Sequence, residues 1–91
     1  MSNRETRDFE PMSKDEIIHD GSVIASWKGG LYVAVGFSID SENHGKRVHY
    51  RPVFRPQRLP WSRPLREFYQ EVKNDEGTWV RRFEVMGDSR A

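Results

Sequence analysis

Cysteine is missing from the chain, which excludes disulfides, thiolate metal ligands and cysteine nucleophiles and fits a reducing, cytoplasmic setting. No stretch approaches the ~18 consecutive apolar residues of a membrane span, and the N-terminal region lacks the apolar segment of a signal peptide. Neither secretion nor membrane insertion is expected. Apolar side chains are sparse, at 35% against 32% charged, so 91 residues can fill one modest core and no second domain. His19, His44 and His49 have no zinc-site spacing. Lys28-Gly29-Gly30 lacks the longer glycine frame of a phosphate loop. Ser26 and Ser62 have no nucleophile-elbow context, and no carboxylate pair suggests acid/base work. The expectation is a non-catalytic protein with no cofactor and no metal.

What is present is an uneven charge. The formal total is only +1, yet residues 44–66 hold Lys46, Arg47, Arg51, Arg55, Arg58, Arg63 and Arg66 without one acid. All 14 acids lie elsewhere, so the near-neutral total hides a polarised chain. The polar, aperiodic ends lose more entropy on ordering than burial returns. Residues 1–14 and 87–91 are therefore expected to be flexible flanks around a single domain at 15–86.

Within that domain, Leu31, Val33, Val35, Phe37 and Ile39 alternate with smaller or polar residues and predict a strand with one apolar face. A shorter strand at 23–27 precedes it across Lys28-Gly29-Gly30, a hairpin turn in which glycine supplies the positive φ. Gly36 in mid-strand marks a bulge or sharp bend. After a polar loop at 40–45, a third strand is expected over 47–54, with Val48, Tyr50 and Phe54 on one side and a bend or edge at Pro52. Pro56, Pro60 and Pro64 make 55–64 an irregular connection. Leu65, Phe68, Tyr69 and Val72 have helical spacing, with Ser62 as a nearby cap, and predict one short helix or 3₁₀ turn. Asn74 to Gly77 is a hairpin signal before a last strand at 79–86. Ser13 to Glu16 has capping-box spacing, consistent with either a helix of about two turns or a segment packing Ile17 and Ile18 across a barrel end. The fold class is all-β: a small barrel or roll of about five strands.

The run Ala25-Ser26-Trp27-Lys28-Gly29-Gly30-Leu31-Tyr32-Val33-Ala34-Val35-Gly36, then His49-Tyr50-Arg51-Pro52-Val53-Phe54, then Trp61-Ser62-Arg63-Pro64-Leu65-Arg66-Glu67-Phe68, resembles a small bacterial family catalogued as domain of unknown function 1653. The resemblance spans 23–85, with motifs in the family's order. It implies an SH3-like barrel and an unassigned role, and it brings no catalytic residues. The sequence departs from the family pattern at Arg55-Pro56-Gln57-Arg58, where the loop is usually less basic.

Two readings of the basic segment stand side by side. Arginine forks that grip phosphate, interleaved with Tyr50, Phe54 and Trp61 that stack bases, would line a groove for single-stranded nucleic acid. The plainer alternative makes those aromatics core and leaves the arginines solvated or paired with the protein's own acids. Arg63 in particular is placed to hold a carboxylate such as Glu67 or Glu71. The candidate binding residues are Tyr32, Tyr50, Arg51, Arg55, Arg58, Trp61 and Arg63. A protein partner bound at a sheet edge or aromatic groove ranks first, with nucleic acid or a phosphate ligand held by the basic, aromatic segment 44–66 second and no membrane role.

Overall fold

A computed structural model describes residues 5–90. It is mainly β, as the alternation patterns require, with strands β1 (Thr6–Asp8), β2 (Ser22–Ser26), β3 (Leu31–Ile39), β4 (Lys46–Pro52), β5 (Trp61–Pro64), β6 (Gln70–Lys73), β7 (Trp79–Arg81) and β8 (Phe83–Asp88). Two 3₁₀ turns, Lys14–Glu16 and Leu65–Tyr69, complete the described elements. No described helix is long and apolar enough to cross a membrane. The strands form one sheet in the order β5-β4-β3-β2-β8 and another in the order β1-β6-β7, all antiparallel neighbours. Eight described strands thus replace the expected five or so, and the ladders do not close into a barrel.

The sheets meet where one strand was expected at 79–86. The chain bends at Arg82, whose N–H donates to the Gln70 carbonyl (2.8 Å) while its own carbonyl accepts from Trp27 N (3.0 Å). One residue therefore bonds to the end of each sheet, and the strand splits into β7 and β8. The core cluster lies against the five-stranded sheet, which supplies Ile24, Ala34, Val48, Tyr50 and Phe83, with Ile18, and Phe68 of the second 3₁₀ turn, buried beside them.

The long alternation of β3 is broken as Gly36 suggests. Ala34 pairs with Tyr50 and Gly36 with His49, so the register slips at Val35. Antiparallel partners share a face. Tyr32 and Ala34 before the slip and Phe37 after it therefore face the core, whereas Val33 shares the opposite face with Arg51. The single five-residue apolar face is a correction: one inserted residue inverts the pattern halfway along.

Other departures have equally local causes. Part of the 1–14 flank is β1, which pairs Thr6, Arg7 and Asp8 with Val72, Glu71 and Gln70. Its side chains are exposed and linked by cross-strand polar contacts, Arg7 to Glu71 at 2.7 Å and Gln70 to Asp8 at 3.1 Å. Gly87 and Asp88, assigned to the C-terminal flank, close the β2–β8 ladder against Val23 and Ser22. Residues 1–4 and 91 of those flanks lie outside the described residues. Strand β5 forms inside the proline-rich connection, because Trp61, Ser62 and Arg63 keep their N–H groups and pair with Tyr50, His49 and Val48. Pro52 lies beyond the stretch of β4 that β5 covers, so its missing N–H breaks no ladder bond on that side. β4 stops there, and Phe54 sits 82% exposed in the following turn rather than in the strand. Ser62 does not cap the second 3₁₀ turn; Pro64 holds that position. At Lys14–Glu16 no two-turn helix forms: Glu16 reaches back to Met12 N (3.0 Å) and to Arg81, and only Ile18 of the two isoleucines is buried.

Phe68 is 1% exposed and stacks on Phe83 with ring centroids 4.5 Å apart. The Phe68→Ala variant is expected to lose about 3–5 kcal/mol, most of the stability of a domain this size, measured as the urea midpoint. A second expectation concerns acid. The Asp40 carboxylate accepts N–H bonds from Glu42 (2.8 Å) and Asn43 (3.3 Å) and pairs with Arg47 at 3.4 Å, which holds its pKa below the ordinary 3.8. A depressed carboxylate stabilises the fold above its ordinary pKa and loses that contribution as pH falls through the folded value. Asp40→Asn should therefore unfold more readily than wild type near neutrality and show a shallower loss of stability below about pH 4.

Candidate functional site

On the core-facing side of the five-stranded sheet, three aromatic rings step outward toward the β5 edge. Register sets them there: Tyr50 lies between Ala34 on β3 and Trp61 on β5, and Tyr32 pairs with Pro52, two residues further along the same face. Tyr32 meets Tyr50 edge-on at 5.5 Å, and Trp61 stands 6.1 Å from Tyr32 and 5.9 Å from Tyr50 at tilts of 57° and 58°. Tyr50 is buried, while Trp61 remains 40% exposed. The cluster thus grades from core to surface. Gly30, at φ +96° in the β2–β3 turn, lies beneath Tyr32; a Cβ there would stand 3.3 Å from the phenol oxygen.

Arginine surrounds the rings unequally. Arg58 lies over the Trp61 ring at 4.3 Å. Arg63 donates from Nε to the Tyr50 hydroxyl at 3.3 Å and from Nη1 to Glu67 at 2.6 Å, and it stands 5.6 Å from the Phe83 ring. Burial works against its charge, but the bonds to Tyr50 and Glu67 outweigh burial and raise its pKa above the ordinary value. The expected Glu67 partner is therefore present, and Arg63 acts as a brace for Tyr50.

The other candidates do not converge on this cluster. Arg51 pairs with Val33 and projects from the opposite face of β4. Arg55 sits in the exposed turns that follow β4 and has no side-chain partner among the described residues. Tyr32, Tyr50, Arg58, Trp61 and Arg63 thus come together, and Arg51 and Arg55 stay apart. Sequence reasoning passed over Leu59, which is 86% exposed in the same loop as Phe54.

The rings and guanidinium groups offer apolar contact, hydrogen-bond donors and positive charge. The only carboxylate bonded within the cluster is Glu67, and it is held by Arg63. Elsewhere Ser38 Oγ and His49 Nε2 share a hydrogen bond of 2.7 Å, but no carboxylate orients that imidazole among the described residues, so it is a dyad without the third member of a triad. No group of three or more potential metal ligands occurs among the described residues.

Arg63→Ala leaves the Tyr50 hydroxyl and Glu67 without their partner and should cost about 1 kcal/mol, with part of the charge still in water. Arg63→Lys should restore only some of this, because an ammonium does not span two acceptors as the guanidinium fork does. Urea unfolding of the three proteins decides it; equal stability of all three would remove the brace.

No curated protein and no solved structure matches the chain. The family model described as a protein of unknown function (DUF1653) matches residues 26–85, a range that runs from the end of β2 into β8 and takes in the whole ring cluster. The match covers more than half of the chain, and the protein belongs to that family.

Proposed function

We propose that this protein is a small, non-catalytic interaction module that takes an extended segment of another protein against the Tyr32–Tyr50–Trp61 cluster and the loop joining β4 to β5. The reading treats the two sheets as an opened SH3-like barrel working in a bacterial cytoplasm. The observation that carries it is the graded cluster. Trp61, anchored on buried Tyr50, is presented at 40% exposure on an edge strand, beside a loop that holds Phe54 and Leu59 in water. Rigid half-exposed aromatics with arginine beside them are the commonest anchors of protein interfaces. The open flank of β5 also leaves backbone groups for an added strand. Arg55 and Arg58 have no carboxylate partner among the described residues, so a partner segment carrying Asp or Glu beside an apolar residue suits the surface.

A nucleic-acid groove is less well supported. Arg58 already stacks on one face of the Trp61 ring, Arg51 projects from the other side of the sheet, and Arg47 and Arg63 are engaged by Asp40 and Glu67. A continuous row of free cations beside open ring faces, which single strands require, is not formed by these groups.

Selection of a displayed library of random peptides on the wild-type protein, with counter-selection on Trp61→Ala, tests the reading. Peptides pairing acidic with apolar residues should emerge and bind at least about tenfold more weakly to Trp61→Ala. Single-stranded oligonucleotides in the same buffer should not bind. An empty selection, or oligonucleotide binding that falls with salt and disappears in Arg55→Glu/Arg58→Glu, would reject it.

A further inference from the structure

Three residues before Tyr50, and so about 10 Å away along β4, the same sheet carries a separate groove of about 430 Å³. Pro64, Leu65 and Tyr69 give it an apolar lining. The loop after β3 contributes Asn43 and Gly45, and Lys46, Arg47 and Arg66 join them with the single acid Asp40. The volume is that of a small-molecule site, and a mostly apolar cleft with a few polar groups at its rim is the usual form of one.

We propose that this groove binds a small organic oxyanion, a carboxylate or phosphate carried on an apolar body. The charged lining argues for it. Asp40 is already committed to two backbone N–H groups and to Arg47. Arg47 is held in place by donating from Nε to Ser62 Oγ at 3.1 Å and from Nη2 to the Ser62 carbonyl at 3.3 Å. Lys46 rests over the Phe37 ring at 4.7 Å, but neither it nor Arg66 has an acceptor for its N–H donors among the described residues. Two cationic residues without an acceptor therefore line the groove beside Pro64 and Leu65. Burial of an apolar body against those two would bring an attached anion near the cations.

The loop after β3 is also built before any ligand arrives. His44 takes a left-handed φ of 60°, which a non-glycine residue adopts only where its surroundings hold it. Here His44 N donates to the Asp40 carbonyl at 2.8 Å, Asp40 N to the Gly45 carbonyl at 2.8 Å and Gly45 N to Asn43 Oδ1 at 2.7 Å. A loop closed by its own hydrogen bonds loses little further entropy when a ligand docks.

The probe is phenyl phosphate, titrated into the ¹⁵N-labelled full-length protein, with inorganic phosphate and benzyl alcohol as its charged and apolar halves and benzoate as the carboxylate counterpart. The proposal expects saturable amide shifts confined to the 43–47 and 65–69 stretches, with dissociation constants on the order of 1 mM for an anion of this size. It expects each half-molecule to bind at least about fivefold more weakly, and Lys46→Ala and Arg66→Ala each to weaken phenyl phosphate by about three- to tenfold in well-dispersed spectra. Benzoate binding alongside phenyl phosphate shows that the shared oxyanion is read; preference for one names the class. No saturation by about 10 mM, inorganic phosphate as tight as phenyl phosphate, or unchanged binding in both variants would overturn it.

Discussion

Tyr50 touches the core and the surface at once, and much of the structure is arranged to allow this. Its ring packs edge-on against Phe68 at 5.5 Å and stands 6.3 Å from Phe83, with Tyr32 and Trp61 on the outward side. A phenol in that position needs a hydrogen-bond partner, because an unsatisfied buried hydroxyl costs about as much as several ring contacts supply. Arg63 is that partner, and a half-buried guanidinium needs an anion in turn. Glu67 provides one, on the 3₁₀ turn that also delivers Phe68 to the core. One chain of dependence therefore runs from β4 through β5 into the turn and back to the hydrophobic centre. The aromatic surface is rigid because its innermost ring is part of the core.

The parts of this fold that were readable in the sequence are those in which side chains pay a local conformational or packing cost. Glycines at positive φ announced both hairpins, at Gly29 and Gly30 and at Gly77, and Gly36 announced the bulge. The inversion of β3 was not readable, because a bulge shows where a pattern slips but not that Val33 will be buried on the opposite face, outside the main cluster. β1 was hidden for a different reason: Thr6, Arg7 and Asp8 bury no face, and a backbone ladder closed by polar pairs leaves no periodic apolar signal. β5 was masked by proline composition, although only Pro64 lies within it. At the site, the aromatic trio and the Arg63–Glu67 pair follow from spacing and register. The exposure of Phe54 does not, since it depends on where β4 stops.

The run of seven cations also means something different in space from what it suggests along the chain. Alternation across β4 sends Arg47 and Arg51 to one face while the pairing of Val48 with Arg63 places that arginine on the other. Arg58 lies on a ring, Lys46 and Arg66 line the groove, and Arg55 faces water. The cations of the run are thereby divided among a ring, a groove, an internal ion pair and open solvent. Linear charge density is here spread over separate roles and does not form one basic stripe.

The pairing of β2 with β8 and of β1 with β6 sets the order in which the sheets can form. β2, β3 and β4 are neighbours both in sequence and in the sheet, so they can pair as soon as they leave the ribosome. The other flank of β2 waits for β8, and β1 waits for β6. Until β8 is synthesised, Ile24, wholly buried in the fold, sits on a strand with an open edge, the kind of template that recruits another chain. A nascent or truncated copy ending before Phe83 therefore leaves the β2 edge as a template for another chain until β8 covers it.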